Sequence, residues 1–92
     1  MLLPLAPMTP HRPVRPMWAC QCCTLAWPCP QAKQDLVAEF EGRLTYVVYY
    51  MSAQLIRYEA DLAERDELPD PKAGYRRFIN WARSLVAAAK VA

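Results

Sequence analysis

The amino-acid sequence predicts a mainly α fold. A Pro-rich arm over 1–17 and a cysteine metal knuckle over 18–30 lead into a helical hairpin over 31–92, the knuckle and hairpin forming one compact domain. Three observations predict it. Seven of the nine prolines precede residue 31, and the other two, Pro69 and Pro71, flank one turn. All four cysteines lie between residues 20 and 29. Apolar residues then recur at Leu36, Phe40, Leu44, Val47, Met51, Leu55, Tyr58 and Leu62, in steps of three and four that mark one buried helical stripe. At 92 residues the chain holds one small domain, whose core is marginal unless something staples it.

In the arm, Pro4, Pro7, Pro10, Pro13 and Pro16 are spaced by threes, which suits an extended polyproline-like segment and forbids a helix. The opening Met1-Leu-Leu-Pro-Leu-Ala-Pro has no basic residue, and its prolines interrupt what would be the apolar part of a signal sequence. A cytoplasmic protein is therefore expected, with Met8 a candidate natural start. The longest uncharged run of the helical part, residues 44–56, is too short to span a bilayer, so no membrane partner is expected.

The knuckle carries the chemistry. Cys20 and Cys23 form a C-x2-C pair, a tight turn that presents two thiolates to one ion, and Cys29 supplies a third. His11 is the preferred fourth ligand, completing a closed, structural zinc site of three cysteines and one histidine. Cys22 is the alternative, although adjacency to Cys23 makes it awkward on the same ion. Unliganded cysteines compete with this reading, and disulfides are disfavoured where no export signal is seen. Trp18 and Trp27 beside the cysteines read as the small hydrophobic core of the knuckle. Pro30 fits the first position of a helix, which places Cys29 at the N-cap, where the helix dipole stabilises a thiolate.

From there one long helix is expected over 31–66, with Gly42 as a point of bending or interruption. Tyr46-Val-Val-Tyr-Tyr-Met51 is apolar all round, as in a helix covered on several sides. Asp70-Pro71 starts a second, shorter helix over 71–90, with the aspartate as N-cap and an antiparallel return implied by the short link. Its apolar face is Tyr75, Phe78, Ile79, Ala82, Leu85, Val86 and Ala89. At about 1.5 Å per residue it covers roughly half of the longer helix. The other half needs the knuckle or a second copy of the chain.

Charge is segregated beneath a net +2. Residues 1–34 hold Arg12, Arg15 and Lys33 and no acid; residues 35–70 hold all nine acids against Arg43, Arg57 and Arg65; residues 71–92 hold only bases. Such blocks neutralise one another, within the fold or across a dimer, more readily than they make a nucleic-acid-binding field. Glu59, Asp61 and Glu64 are expected to face Lys72, Arg76 and Arg83. Lys72, Arg76, Arg83 and Lys90 share one helix edge and are candidate anion or partner contacts.

The stretch from His11 through Trp18-Ala-Cys20-Gln-Cys-Cys23-Thr-Leu-Ala-Trp27-Pro28-Cys29 resembles a largely uncharacterised family of short actinobacterial proteins. That family has a histidine, a Pro-rich link, W-x-C-x2-C-x3-W-P-C and a helical tail, and the resemblance spans about residues 11–83. Some of its members carry a flavin-reductase label that nothing in these residues supports. Thr24 stands where the family commonly has glycine, and Cys22 where it does not usually have cysteine. A more distant resemblance, the C-x2-C-x5-C spacing of WhiB-like proteins, implies an iron–sulfur cluster as the alternative cofactor.

Catalysis is not expected: the chain has one histidine, no nucleophile elbow, no zinc-protease motif and no phosphate-cradling glycine loop. The expected function is a zinc-stapled interaction or regulatory module, a homodimer through its long helix, with a further, unidentified protein partner. A nucleic-acid-binding regulator is less favoured, as is an iron–sulfur or redox sensor using Cys20, Cys22, Cys23 and Cys29.

Overall fold

The computed structural model describes residues 7–91. The part of the expected arm holding Pro4 lies outside them. Six elements follow in order: β1 (Pro13–Val14), β2 (Ala19–Cys20), α1 (Pro30–Glu39), α2 (Leu44–Glu64), α3 (Pro71–Phe78) and α4 (Asn80–Val91). The mainly helical class is as the sequence predicts, with three departures.

The first is the arm. Instead of running free in a polyproline conformation, residues 13–14 pair antiparallel with residues 19–20, Pro13 opposite Cys20 and Val14 opposite Ala19. An edge strand two residues long asks no ladder N–H of Pro13, so the proline is tolerated there. Trp18, at the end of the turn, is fully buried with φ at +58°, a left-handed conformation unusual for so bulky a residue. Its backbone is held on both sides: Trp18 N–H donates to Val14 O at 2.7 Å, and Trp27 N–H donates to Trp18 O at 2.9 Å.

The second departure is the long helix, which is two helices. Residue 40 caps α1, and the chain reverses through Glu41 and Gly42, both left-handed at φ +56° and +73°. Glu41 N–H donates to Ala38 O and Gly42 N–H to Val37 O, the paired bonds of a Schellman ending. A second ending of the same type closes α2, with Asp66 at φ +57° and Glu67 N–H on Leu62 O. Breaking at 40–43 folds α1 back on α2, so Leu36 and Phe40 join Val47 and Met51 in one buried cluster with Trp18, Trp27, Phe78 and Ile79. The half of the helix expected to lie bare is thus covered by α1 and the knuckle. In the Tyr46–Met51 run Val47 is buried, Tyr46, Val48 and Tyr50 are half-buried, and Tyr49 alone is exposed.

The third concerns charge. Asp61 is buried and faces the arm rather than α3, taking both Arg15 Nε at 3.0 Å and Arg15 Nη2 at 2.8 Å. Among the described residues Lys72, Arg76, Arg83 and Lys90 form no ion pair.

The return stroke is divided at buried Ile79 into α3 and α4, and both pack against α2. Asp70 caps α3 by accepting Lys72 N–H at 3.0 Å, ahead of Pro71 at the first position. Gly74 lets α3 approach α2 closely: a Cβ there would lie 2.9 Å from Leu55 Cδ1.

Candidate metal centre

Three short segments converge on one point. The knuckle runs from β2: Cys20 N–H donates to Leu25 O at 2.7 Å and Thr24 N–H to Cys20 O at 3.0 Å, closing a turn around Cys22 and Cys23. Thr24 sits at φ +61°, so this turn places a side-chain-bearing residue in the left-handed region that glycine adopts most readily. Cys29 is the N-cap of α1, its Sγ accepting Ala32 N–H at 3.4 Å, with Pro30 at the first helical position. Both features follow from local chemistry and stand where the sequence places them.

His11 arrives from the arm. Its backbone N–H donates to Thr9 Oγ1 at 3.1 Å, and that hydroxyl donates to Asp35 Oδ2 of α1 at 2.6 Å. Gln31 donates to the other oxygen of Asp35 at 2.8 Å, and Trp27 Nε1–H donates to His11 O at 2.9 Å. The Thr9 and Gln31 hydrogen bonds hold the Asp35 carboxyl below its usual range. Asp35 thereby ties the histidine-bearing segment to the helix that carries Cys29.

The result is a cluster of His11, Cys20, Cys23 and Cys29 whose ligand atoms all lie within 4.8 Å of one another. His11 Nδ1 is 3.3 Å from Cys20 Sγ and 3.4 Å from Cys29 Sγ, and the two sulfurs are 3.7 Å apart. These separations can be tested against an ion. Zn–S bonds of about 2.3 Å and Zn–N bonds of about 2.0–2.1 Å at tetrahedral angles imply S···S near ~3.8 Å and S···N near ~3.6 Å. These three edges match to within a few tenths of an ångström and the separations to Cys23 stay within 4.8 Å, whereas a disulfide needs sulfurs at about 2.05 Å. All four cysteines are free thiols.

Electrostatics favour thiolate at one ligand. Burial pushes the Cys20 thiol up, but the backbone N–H groups of Cys23 and Cys22, together with the side chains of Cys23 and His11, bring the group down to about 6. Cys29 goes the other way, raised chiefly by burial and by the neighbouring sulfurs of Cys23 and Cys20, with Ala32 N–H opposing. An ion at the centre would remove that sulfur–sulfur repulsion.

Cys22, the alternative fourth ligand, is exposed and turned away, its thiol donating to Pro10 O at 3.3 Å. Around the cluster the two tryptophans pack as its core, with Trp18 and Trp27 centroids 5.9 Å apart and Phe78 against both. Two residues that fix this arrangement escaped the sequence. Asp61 accepts Trp18 Nε1–H at 2.7 Å besides holding Arg15, and these contacts bring its carboxyl down to about 2. Arg77 donates to Trp27 O at 2.9 Å and Trp18 O at 2.7 Å while lying over the rings of Tyr58 and Phe78. No family model, curated protein or solved structure matches this chain. Among the described residues no helix is long and apolar enough to cross a membrane.

Proposed function

We propose that this chain is a zinc-stapled helical protein that acts as an interaction module, self-associating through α2. The observation that carries the reading is the four-ligand cluster: its ligand atoms all lie within 4.8 Å of one another, and its edges among His11, Cys20 and Cys29 fit one tetrahedral ion. Four protein ligands leave no open position for water, so the ion ties the arm to α1 rather than acting as a Lewis acid. An iron–sulfur cluster holds several metal and sulfide atoms and spreads its thiolates wider than a single ion does, which the 3.7 Å sulfur pair disfavours.

Self-association draws its support from the outward face of α2. Tyr49, Ala53, Ile56, Ala60 and Ala63 follow one another in steps of four and three, and all are exposed. Tyr49 and Ile56 remain 60% and 67% accessible, large for apolar side chains on one helix face. Small residues between them would let two copies of α2 approach closely.

Elemental analysis with native mass tests both halves. One zinc per chain is expected, lost in His11→Ala and kept in Cys22→Ser; the reverse pattern would overturn the ligand set. Dimer mass is expected for the wild type and monomer mass for Ile56→Lys. A wild-type monomer at high micromolar concentration would sink the self-association reading while leaving the staple intact.

A further inference from the structure

The metal cluster does not account for a cavity of about 280 Å³ that opens on the other side of His11, between the arm and α2. Its floor is apolar and buried, made by Trp27 and Leu36. Its rim is cationic. Arg12 is fixed there by two of its nitrogens, Nε on Thr9 O and Nη2 on Pro7 O, both at 3.1 Å, which leaves the rest of the guanidinium uncommitted. Arg57 has no hydrogen-bond or ion-pair partner among the described residues.

A second feature points the same way. Gln54 lines this cavity from α2: most of the residue is buried, while its side-chain amide makes no hydrogen bond among the described residues and keeps access to the cavity. Because that amide stays open to the cavity, a ligand seated there can take its hydrogen bonds without first displacing a protein partner. Tyr50 stands beside it. Burial raises its hydroxyl, with Glu39 adding to that and Arg57 and Arg12 opposing, so both arginines act on this volume. Glu39 and Asp35 are the nearby acids: Glu39 accepts Met8 N–H, and Asp35 is held by Thr9 and Gln31.

We propose that this cavity is a binding site for a small organic anion, its carboxylate or phosphate held by Arg57 and the free edge of Arg12, its polar neighbour by the Gln54 amide, and its apolar part resting on Trp27 and Leu36. The volume falls just below the ~300–1,000 Å³ of drug-sized sites, which suits a compact ligand. Guanidinium pairs are the usual receivers of planar and tetrahedral oxyanions. The site is independent of the proposed self-association, because Tyr49 and Ile56 of the outward face do not line it.

Titration of the full, metal-loaded chain with benzoate, phenyl phosphate and neutral benzamide, followed by side-chain amide NMR, tests it. At least one of the two anions is expected to bind and to move the Gln54 side-chain NH2 resonances; which of them does so separates a carboxylate from a phosphate site. Arg57→Gln, at an exposed position that the fold does not use, is expected to weaken that binding by about tenfold or more. Gln54→Glu, which puts a negative charge in the cavity, is expected to abolish it. Benzamide binding as well as either anion, unmoved Gln54 signals, or an unchanged affinity in a folded Arg57→Gln chain would each overturn the proposal.

Discussion

Replacing Gly42 by alanine has opposite consequences for a continuous helix and for the reversal seen here. In a helix interior, alanine is about 1 kcal/mol better than glycine, so the substitution would stabilise the protein. In the structure Gly42 sits at φ +73°, and nothing lies within 4 Å of the position a Cβ would take. The effect is therefore one of backbone conformation, with no packing gain to mask it. An L-residue in the left-handed region costs about 1–2 kcal/mol, partly offset by the lower entropy of an unfolded chain that carries alanine. The net expectation is a loss of about 1 kcal/mol. For a domain of this size that is a fall in Tm of about 4–8 °C, read by thermal circular dichroism on metal-loaded protein. Glu41→Gly is the companion, since Glu41 occupies the preceding left-handed position at φ +56° without being glycine. It is expected to be neutral or stabilising, whereas in a helix interior it would cost about 1 kcal/mol. A rise in Tm for Gly42→Ala together with a fall for Glu41→Gly would refute the reversal at 40–43 and restore one long helix.

Three further outcomes follow from the packing around the cluster. The folded Asp61 carboxyl lies near 2, below its unfolded value, so its contribution is present above about pH 4 and fades as pH falls towards 2. The stability difference between wild type and Asp61→Asn, from urea unfolding at a series of pH values, should shrink over that window; a difference independent of pH would count against the Arg15–Asp61–Trp18 contact. Arg77→Ala leaves the carbonyls of Trp18 and Trp27 without their charged donor, and a loss of about 2 kcal/mol is expected in the same assay. Phe40→Ala empties a site that is 2% exposed and should cost about 3–5 kcal/mol, while a loss under ~1 kcal/mol would mean that α1 does not fold back on α2.

What could be read from the sequence was short-range. Cys29-Pro30 and Asp70-Pro71 each place a capping side chain one residue before a proline, and both caps form with the bonds that chemistry implies. The C-x2-C turn is equally local, and its sulfur is fed by backbone N–H groups two and three residues on. The break at 40–43 was harder to read. Steps of four from Leu36 through Phe40 to Leu44 continue the helical rhythm across it, and the glycine follows the first left-handed residue rather than occupying it. Periodicity records which residues are buried, and a reversal that returns Val47 to the same core preserves it.

The remaining contacts were hidden because they join distant positions with no local signature. Asp61 lies on α2 among other acids, and only the fold brings Arg15 and Trp18 to it. Its burial also explains why the stripe after Met51 passes through Gln54 and Asp61, polar residues that a search for apolar spacing skips. Both serve the arm: Asp61 anchors the turn carrying Trp18, and Gln54 faces the cavity beside His11.

These contacts also explain how so short a chain holds a histidine against its cysteines. Cys20, Cys23 and Cys29 lie within ten residues, so bringing them together needs little loop closure. His11 has to be delivered by an arm with a two-residue strand and no helix. Three separate ties do so: Thr9 to Asp35 on α1, Arg15 to Asp61 on α2, and Trp27 to the His11 carbonyl. The first two ties run to helices that also pack in the core and the third to buried Trp27, so the placement of His11 at the cluster depends on both helices being docked. Metal binding at this cluster would for that reason be cooperative with helix packing. An ion closing the tetrahedron would stabilise the α1–α2 reversal, and a substitution that opens the reversal should weaken metal affinity although it lies outside the cluster.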